Sequence, residues 1–420
     1  MSDDRPNIVL VTVDSLRADH CGFHGYEKDT TPNLDSMAED GLVFENAISP
    51  GPATFTSMPA IFTGQPFYLD ADGLTERQVQ IQSHIKQFQT IPEWFQRHDY
   101  TTIGYTPNPF TSRHFGFNRG FDCFEDFLGP DSNDIRSRIV SKWANDEFVA
   151  GLRFGINIIG VGDISMTWED YYEDLLDQID GISEPFFLWV FLLEPHWPYR
   201  PPRRYRETST VDMYRLNWRR APASSSSPAE SDTDQLLSLY DSTIQHFDEF
   251  VDRLCSDLSS FDPRVIFHAD HGEEFGEHGN FGHGPHTYEE NLHVPLLIWG
   301  TDKSDRVNNP VSLDRMPGIL RSISDEKSLI SDPRGTAWAK MSIDGTDAYR
   351  AESWKLIQDS GNYEFYHLGI DPTESEPIDI SGKGNRVAAS IRSQSDVVEK
   401  ERGLVATAAR ELVMEGSDDI

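Results

Sequence analysis

Residues 7–13 read NIVLVTV, and Asp14 follows at once. A strand in a half-solvated sheet alternates apolar and polar side chains, whereas a strand apolar at nearly every position must be covered on both faces. That is the condition at the centre of a parallel sheet. The run therefore commits the chain to an α/β layer architecture before anything else in it is considered. Residues 186–193 (FFLWVFLL) repeat the pattern, and residues 265–267 (VIF) form a shorter apolar run. In open α/β sheets ligands gather beyond the carboxyl ends of the strands. What each run empties into is therefore the next question: Asp14 after the first, EPHWPYRPP after the second and HADHGEEFGEHGNFGHGPH, residues 268–286, after the third.

That last stretch holds five of the chain's 14 histidines, where an even spread would leave fewer than about one. Asp270 and His271 leave its strand at the tip, and carboxylate with imidazole is a donor pair suited to one metal ion. The competing reading is a Gly-rich polar loop whose histidines hydrogen-bond backbone. Asp14 taken alone reads as an N-cap for the segment that follows it. Only its convergence with Asp270 and His271 on one sheet edge makes it a ligand candidate.

The rest of the chain reads as alternating strands and helices. Residues 32–41 suggest a short helix closed by Gly41, and 42–48 a strand. Residues 91–105 suggest a helix and then a strand. Residues 235–258 carry apolar side chains at helical spacing. Residues 293–299 (HVPLLIW) read as a last buried strand. Residues 201–234, rich in Arg, Ser and Pro, read as a mobile excursion or lid. From about residue 337 the pieces AWAKMSID, YRAESWKLIQD and YEFYHLG point to a small antiparallel sheet. The expected organisation is a large, mainly parallel or mixed sheet between helices over 1–335, an antiparallel-sheet subdomain over 336–384, and a helix with an acidic tail over 385–420.

With 70 acidic against 36 basic residues the net charge is −34. A polyanion of that kind repels nucleic acid and anionic membranes, so neither is an expected partner. The balance resembles that of proteins from extreme halophiles, in which self-repulsion is screened by molar salt. Cys21, Cys123 and Cys255 share no metal-type spacing and read as free thiols of a reducing compartment. The acidic opening MSDDRPN is unlike a signal peptide. The best candidate span, residues 148–166, is interrupted by Arg153 and Asp163. The expected location is the cytoplasm.

A metal at a strand edge needs something to activate. The loop SPGPATFTSMP offers Thr54, Thr56 and Ser57 ahead of an expected helix, whose N-terminus favours an anionic ligand. Spacing alone does not choose among them, and each is equally read as a helix cap.

Five blocks in order now resemble one family, the sulfatases of the alkaline phosphatase superfamily. They are NIVLVTVDSLRADHCGFHGYEKDTTPNLD, AISPGPATFTSMPAIFTG, EPHWPYRPP, FHADHGEEFGEHG and ESWKLIQDSGNYEFYHLGIDP. The resemblance implies Asp14, Asp270 and His271 as ligands of one divalent ion (Mn²⁺, Mg²⁺ or Ca²⁺). It implies Thr54, ten residues before Gly64, as the nucleophile, with His196 and His283 assisting it. His286 and, more weakly, Arg17 are implied as groups that bind the substrate anion. The loop departs from the family's C-x-P-S-R pattern: Thr54 stands for Cys, Thr56 for Pro and Met58 for Arg, while Ser57 is kept. Ser15 stands where the family has a second Asp, and His283 where it has a Lys.

Threonine carries a methyl group on the carbon that would become the aldehyde of formylglycine, so that cofactor is not expected here. A formylglycine hydrate expels sulfate from a gem-diol, whereas a threonyl ester must be cleaved by water or passed to an acceptor. The expected function is therefore hydrolysis of small anionic sulfate or phosphate esters, on a glycan or lipid head group, with phosphodiester or phosphotransfer chemistry favoured. The alternative is a degenerate member that binds such a group without turning it over. No further acidic strand tip is evident for a second metal site, and His278 reads as structural.

Overall fold

The computed structural model describes residues 5–71, 73–128, 166–220, 230–324, 336–340, 346–359 and 362–379, with 386, 389, 390 and 393. Its main sheet has eight strands: β1 (Ile8–Val13), β2 (Leu42–Phe44), β3 (Thr101–Tyr105), β4 (Cys123–Glu125), β5 (Phe186–Leu192), β6 (Arg264–Ala269), β7 (Leu296–Trp299) and β8 (Asp305–Val307), in the spatial order β8-β2-β7-β6-β1-β5-β3-β4. β1 runs parallel to β5 on one side and β6 on the other. All six of its residues are buried, as the apolar run requires. β7 is antiparallel to both β6 and β2, which makes the sheet mixed at that side.

Register decides where the chemistry falls. Val13, Leu192 and Ala269 lie level across β5, β1 and β6. Asp14 donates its backbone N–H to the Leu192 carbonyl at 2.9 Å, and Asp270 donates its own to Val13 at 3.1 Å. The two carboxylates thus leave the sheet together because the backbone ladder continues one step past the strands.

Helices α1 (Pro32–Asp40), α2 (Thr54–Thr63), α3 (Leu74–Gln87), α4 (Ile91–Arg97), α5 (Tyr172–Asp180), α6 (Thr210–Arg220), α7 (Glu230–Asp257) and α8 (Met316–Ser324) flank the sheet. α4 opens on a reciprocal cap, in which the Glu93 carboxylate accepts from Thr90 N–H at 3.0 Å and Thr90 Oγ1 accepts from Glu93 N–H. α1 is capped by its neighbour: Asp248 of α7 accepts the N–H groups of Asn33 and Leu34 at 2.9 and 3.0 Å, two of the donors every helix start leaves unpaired.

Strands β9 (Thr336–Lys340), β10 (Asp347–Ala351), β11 (Trp354–Asp359) and β12 (Asn362–His367) form the expected antiparallel sheet. Ala348, Ile357, Tyr366 and Leu368 pack with Ile48 and Leu292, which joins this sheet to the segments that border the 49–58 and 268–286 loops.

Two expectations need correcting, and one helix was missed. Residues 293–299 are two strands in two sheets, because Pro295 has no N–H to continue a ladder: His293–Val294 pairs with Ala47–Ile48, and β7 joins the main sheet. Residues 201–234 hold α6 and the start of α7 among their described positions, where a loop was expected. Buried Met213, Leu216, Asn217 and Arg220 give α6 an inner face; of the arginines that obscured it, Arg220 turns inward to Glu273 and Arg219 reaches Asp232 at 2.5 Å. Helix α3 was not expected at all. The expected C-terminal helix and tail lie outside the described residues, apart from the isolated positions named above. So does most of 148–166. No described helix is long and apolar enough to cross a membrane.

Candidate active site

The first turn after β1 is shaped around two carboxylates. Ser15 adopts a φ of 61°, a left-handed conformation that costs a non-glycine residue about 1–2 kcal/mol. Two bonds offset that cost: Ser15 Oγ donates to Asp14 Oδ1 at 3.0 Å and its N–H donates to Asp270 Oδ1 at 3.3 Å. Asp270 Oδ1 also accepts the His271 N–H at 2.9 Å. His271 Nδ1 lies 2.8 Å from the Gly272 carbonyl. A carbonyl only accepts, so Nδ1 carries the proton and Nε2 presents a lone pair. Nε2 lies 3.4 Å from Asp14 Oδ1 and 3.6 Å from Asp270 Oδ2.

All three side chains are wholly buried. Burial, and then the charge of Asp270, pushes the Asp14 carboxyl up to about 7. Burial pushes Asp270 up to about 7 against hydrogen bonds from Thr54 and Ser15. Burial, then His283, pushes His271 down to about 4. Asp270 Oδ2 has no hydrogen-bond partner. Two dehydrated carboxylates, an orphan oxygen and a neutral imidazole with its lone pair turned toward them fit a divalent cation. One ligand atom from each residue lies within 4.8 Å of the others.

The three hydroxyls of the 49–58 loop separate in the structure. Thr56 Oγ1 donates to the Ala53 carbonyl at 2.7 Å and accepts the Ala53 N–H, a capping role. Ser57 is wholly buried and its Oγ has no partner. Thr54, the first residue of α2, places Oγ1 3.3 Å from His271 Nε2. Asn108, three residues past β3, donates through Nδ2 to Asp14 Oδ2 at 2.8 Å and reaches Thr54 Oγ1 at 3.5 Å, while its Oδ1 accepts the Phe110 N–H. Sequence reasoning missed Asn108. The available signal was its place just beyond a strand end, as with Asp14 and Asp270.

Two further histidines lie beside this group, their rings tilted against one another. The His271 and His283 ring centres are 4.6 Å apart, and those of His283 and His196 5.0 Å. Beneath them lies Glu273, wholly buried, bonded to Arg220 at 2.5 Å and 3.4 Å from His283 Nδ1. Burial opposes its charge, yet Arg220 and His283 hold it down at about 2. Burial also opposes a charge on His283, but Glu273 and Asp14 raise its pKa above the ordinary value. Burial, then His283, pushes His196 down to about 3.

Arg17 is taken up within the protein. Its guanidinium bonds to Asp19 at 2.7 and 2.9 Å, to Glu277 at 2.5 Å and to the Glu273 carbonyl at 3.2 Å, so the charge expected for a substrate is already paired. His286 sits beside Gly284, its carbonyl accepting from Asn291 at 3.2 Å. Among the described residues His278, Glu290 and Glu374 gather a further set of ligand-type atoms, none of them at a strand tip of the main sheet.

The fold is that of an alkaline phosphatase/sulfatase-like α/β protein. The family model described as Sulfatase matches residues 6–322, and the chain belongs to that family. It is 23% identical over 332 residues to iduronate 2-sulfatase of Homo sapiens, a match covering 70% of this chain and 60% of that protein. The chain thus spans less than two thirds of that relative's length. Its fold is similar to that of the phosphonate monoester hydrolase of Agrobacterium radiobacter, with a TM-score of 0.68, 17% identity and coverage of 93% and 96% of the two chains. It is also similar to the soluble domain of lipooligosaccharide phosphoethanolamine transferase A from Neisseria meningitidis, with a TM-score of 0.54, 18% identity and coverage of 77% and 89%.

Proposed function

We propose that this chain is a hydrolase or transferase of sulfate or phosphate esters, with Thr54 as nucleophile and phosphodiester or phosphotransfer chemistry favoured. The observation that carries this is the position of Thr54 Oγ1 at the start of α2, 3.3 Å from His271 Nε2 and in reach of Asn108. A divalent cation held by Asp14, Asp270 and His271 would supply the positive charge that lowers the proton affinity of the hydroxyl.

Thr54 Oγ attacks the phosphorus or sulfur and its proton passes to solvent. The bond to the alcohol breaks, and His283, whose raised pKa keeps it protonated longest among the three neighbouring imidazoles, gives its proton to the departing oxygen. His196, held neutral, hydrogen-bonds a non-bridging oxygen. Water or an acceptor alcohol then attacks, returning a proton to His283 and freeing Thr54, which takes its proton from solvent. The similarity in fold to a phosphonate monoester hydrolase and a phosphoethanolamine transferase supports phosphorus chemistry. The substrate class is a small anionic ester, on a glycan or lipid head group.

The test is hydrolysis of p-nitrophenyl sulfate, p-nitrophenyl phosphate and bis-p-nitrophenyl phosphate in molar KCl with Mn²⁺, Mg²⁺ or Ca²⁺, beside Thr54→Ala. The expected result is diester cleavage that falls at least about 100-fold in kcat in the variant, with KM little changed. Activity untouched by the substitution would remove Thr54 from the mechanism. The altered loop TFTSM favours one second reading, a non-catalytic binder of anionic head groups. Silence on all three esters, with retained binding of inorganic phosphate, supports it.

A further inference from the structure

The loop after Gly276 and the segment after β12 together carry a second set of ligand-type side chains for which the proposed reaction has no use. His278, Glu290 and Glu374 bring one ligand atom each to within 4.8 Å of one another. His278 Nε2 and Glu290 Oε2 face each other at 3.3 Å, and neither makes a hydrogen bond. Metal bonds of 2.0–2.1 Å at tetrahedral angles hold two donors about 3.3 Å apart. The separation is thus that of two ligands sharing one ion. The Tyr288 ring lies flat on that of His278, with centres 3.6 Å apart and planes 9° apart, and fixes its plane.

An independent observation points the same way. Glu274 is wholly buried; its Oε2 accepts from Asn291 Nδ2 at 2.9 Å, but its Oε1 has no hydrogen-bond partner, and the charges of Glu290 and His278 act on it. Lys355 Nζ is shared between Glu374 and Glu289, at 2.9 Å from each. That ammonium is paired with Glu374 and Glu289, and among the described residues the charge of Glu290 faces only the His278 ring. Leaving one oxygen of a buried carboxylate unsatisfied costs about 1–3 kcal/mol, and a cation removes that cost. Burial pushes Glu274 up to about 7, as expected of a carboxyl left without one.

We propose that His278, Glu290 and Glu374, with Glu274 alongside, hold a second divalent cation of zinc or manganese type, separate from the one beside Thr54. One imidazole with two or three carboxylates is a donor set for either ion. The ion joins the loop that carries His283 to the segment that follows β12. Its binding energy is folding energy for that junction.

The experiment uses the full chain carrying Asp14→Asn and Asp270→Asn, stripped of metal and dialysed against Zn²⁺ in molar KCl, where loosely held surface cations are displaced. Bound zinc is counted by atomic emission. The expected counts are two ions per wild-type chain, one in the double variant and none when His278→Gln is added. Zn²⁺ also raises the melting temperature of the double variant. A double variant that binds no zinc overturns the proposal. So does any folded chain that keeps its ion after His278→Gln, or after Glu290→Gln should the first misfold. A melting temperature unmoved by zinc overturns it without either substitution.

Discussion

Asn108 holds two of the site's oxygen atoms with one amide, Asp14 Oδ2 at 2.8 Å and Thr54 Oγ1 at 3.5 Å. A side chain that orients a ligand carboxylate is typically worth about 10–100-fold in metal affinity or activity. Asn108→Ala is therefore expected to lose that much in Mn²⁺ affinity by calorimetry and in kcat/KM, with an unchanged fold by circular dichroism. A variant that keeps both would show that the amide only packs. Asp14, Asp270 and His271 were legible in the sequence because each follows an apolar strand, and strand ends are where such sheets keep their chemistry. Thr54 was not separable from Thr56 and Ser57 by spacing, since three hydroxyls within four residues differ only in where a helix turn points them. Asn108 was hidden because its strand, TTIGY, does not announce itself as buried. Arg17 was misleading for a physical reason: in a chain with nearly twice as many carboxylates as cations, an arginine near the site finds Asp19 and Glu277 before any substrate.

At the scale of elements, α7 acts as the clamp for the turn that follows β1. Its Asp241 accepts from Tyr26 and Lys28, and pairs with His20 Nδ1 at 2.8 Å. Burial opposes the charge of Asp241, but His20 and Lys28 outweigh it, and its pKa is lowered. The unfolded chain then takes up the proton first. The contribution is present above the ordinary aspartate value of 3.8 and is lost as pH falls through the depressed folded value. Asp241→Asn is expected to cost about 1–2 kcal/mol near neutral pH. In urea titrations run from pH 7 down to 3, the gap to wild type should narrow at the acid end. A gap independent of pH would mean that the carboxylate charge plays no part. Elements with uninterrupted periodicity, β1, β5 and α7, were readable from the residues alone. The two that were misjudged each had a local cause. Pro295 splits an apolar run that looks continuous in composition, and α6 hides its inner face of Met213, Leu216 and Asn217 among arginines.

For the whole molecule the governing quantity is the net charge of −34. Repulsion between surface carboxylates extends roughly 10 Å in 0.1 M salt and about 3 Å at 1 M. Circular dichroism is expected to show a folded chain in molar KCl and progressive loss of structure on dialysis to low salt. Equal stability in both would remove the halophile reading. The alternation of strand and helix made the α/β class legible in the sequence, and the antiparallel character of β7 was not, because direction leaves no mark on composition. That reversal has a further meaning. The chain leaves β6 at Ala269, runs through residues 270–295 and re-enters the same sheet beside the strand it left, with Leu296 opposite His268. Both ends of the histidine loop are thus anchored to one neighbouring pair of strands. The loop can be lengthened, shortened or rewritten between those anchors while Asp270 stays where the β1 ladder puts it, so the selectivity of the site can evolve as an exchangeable cassette on an unchanged frame.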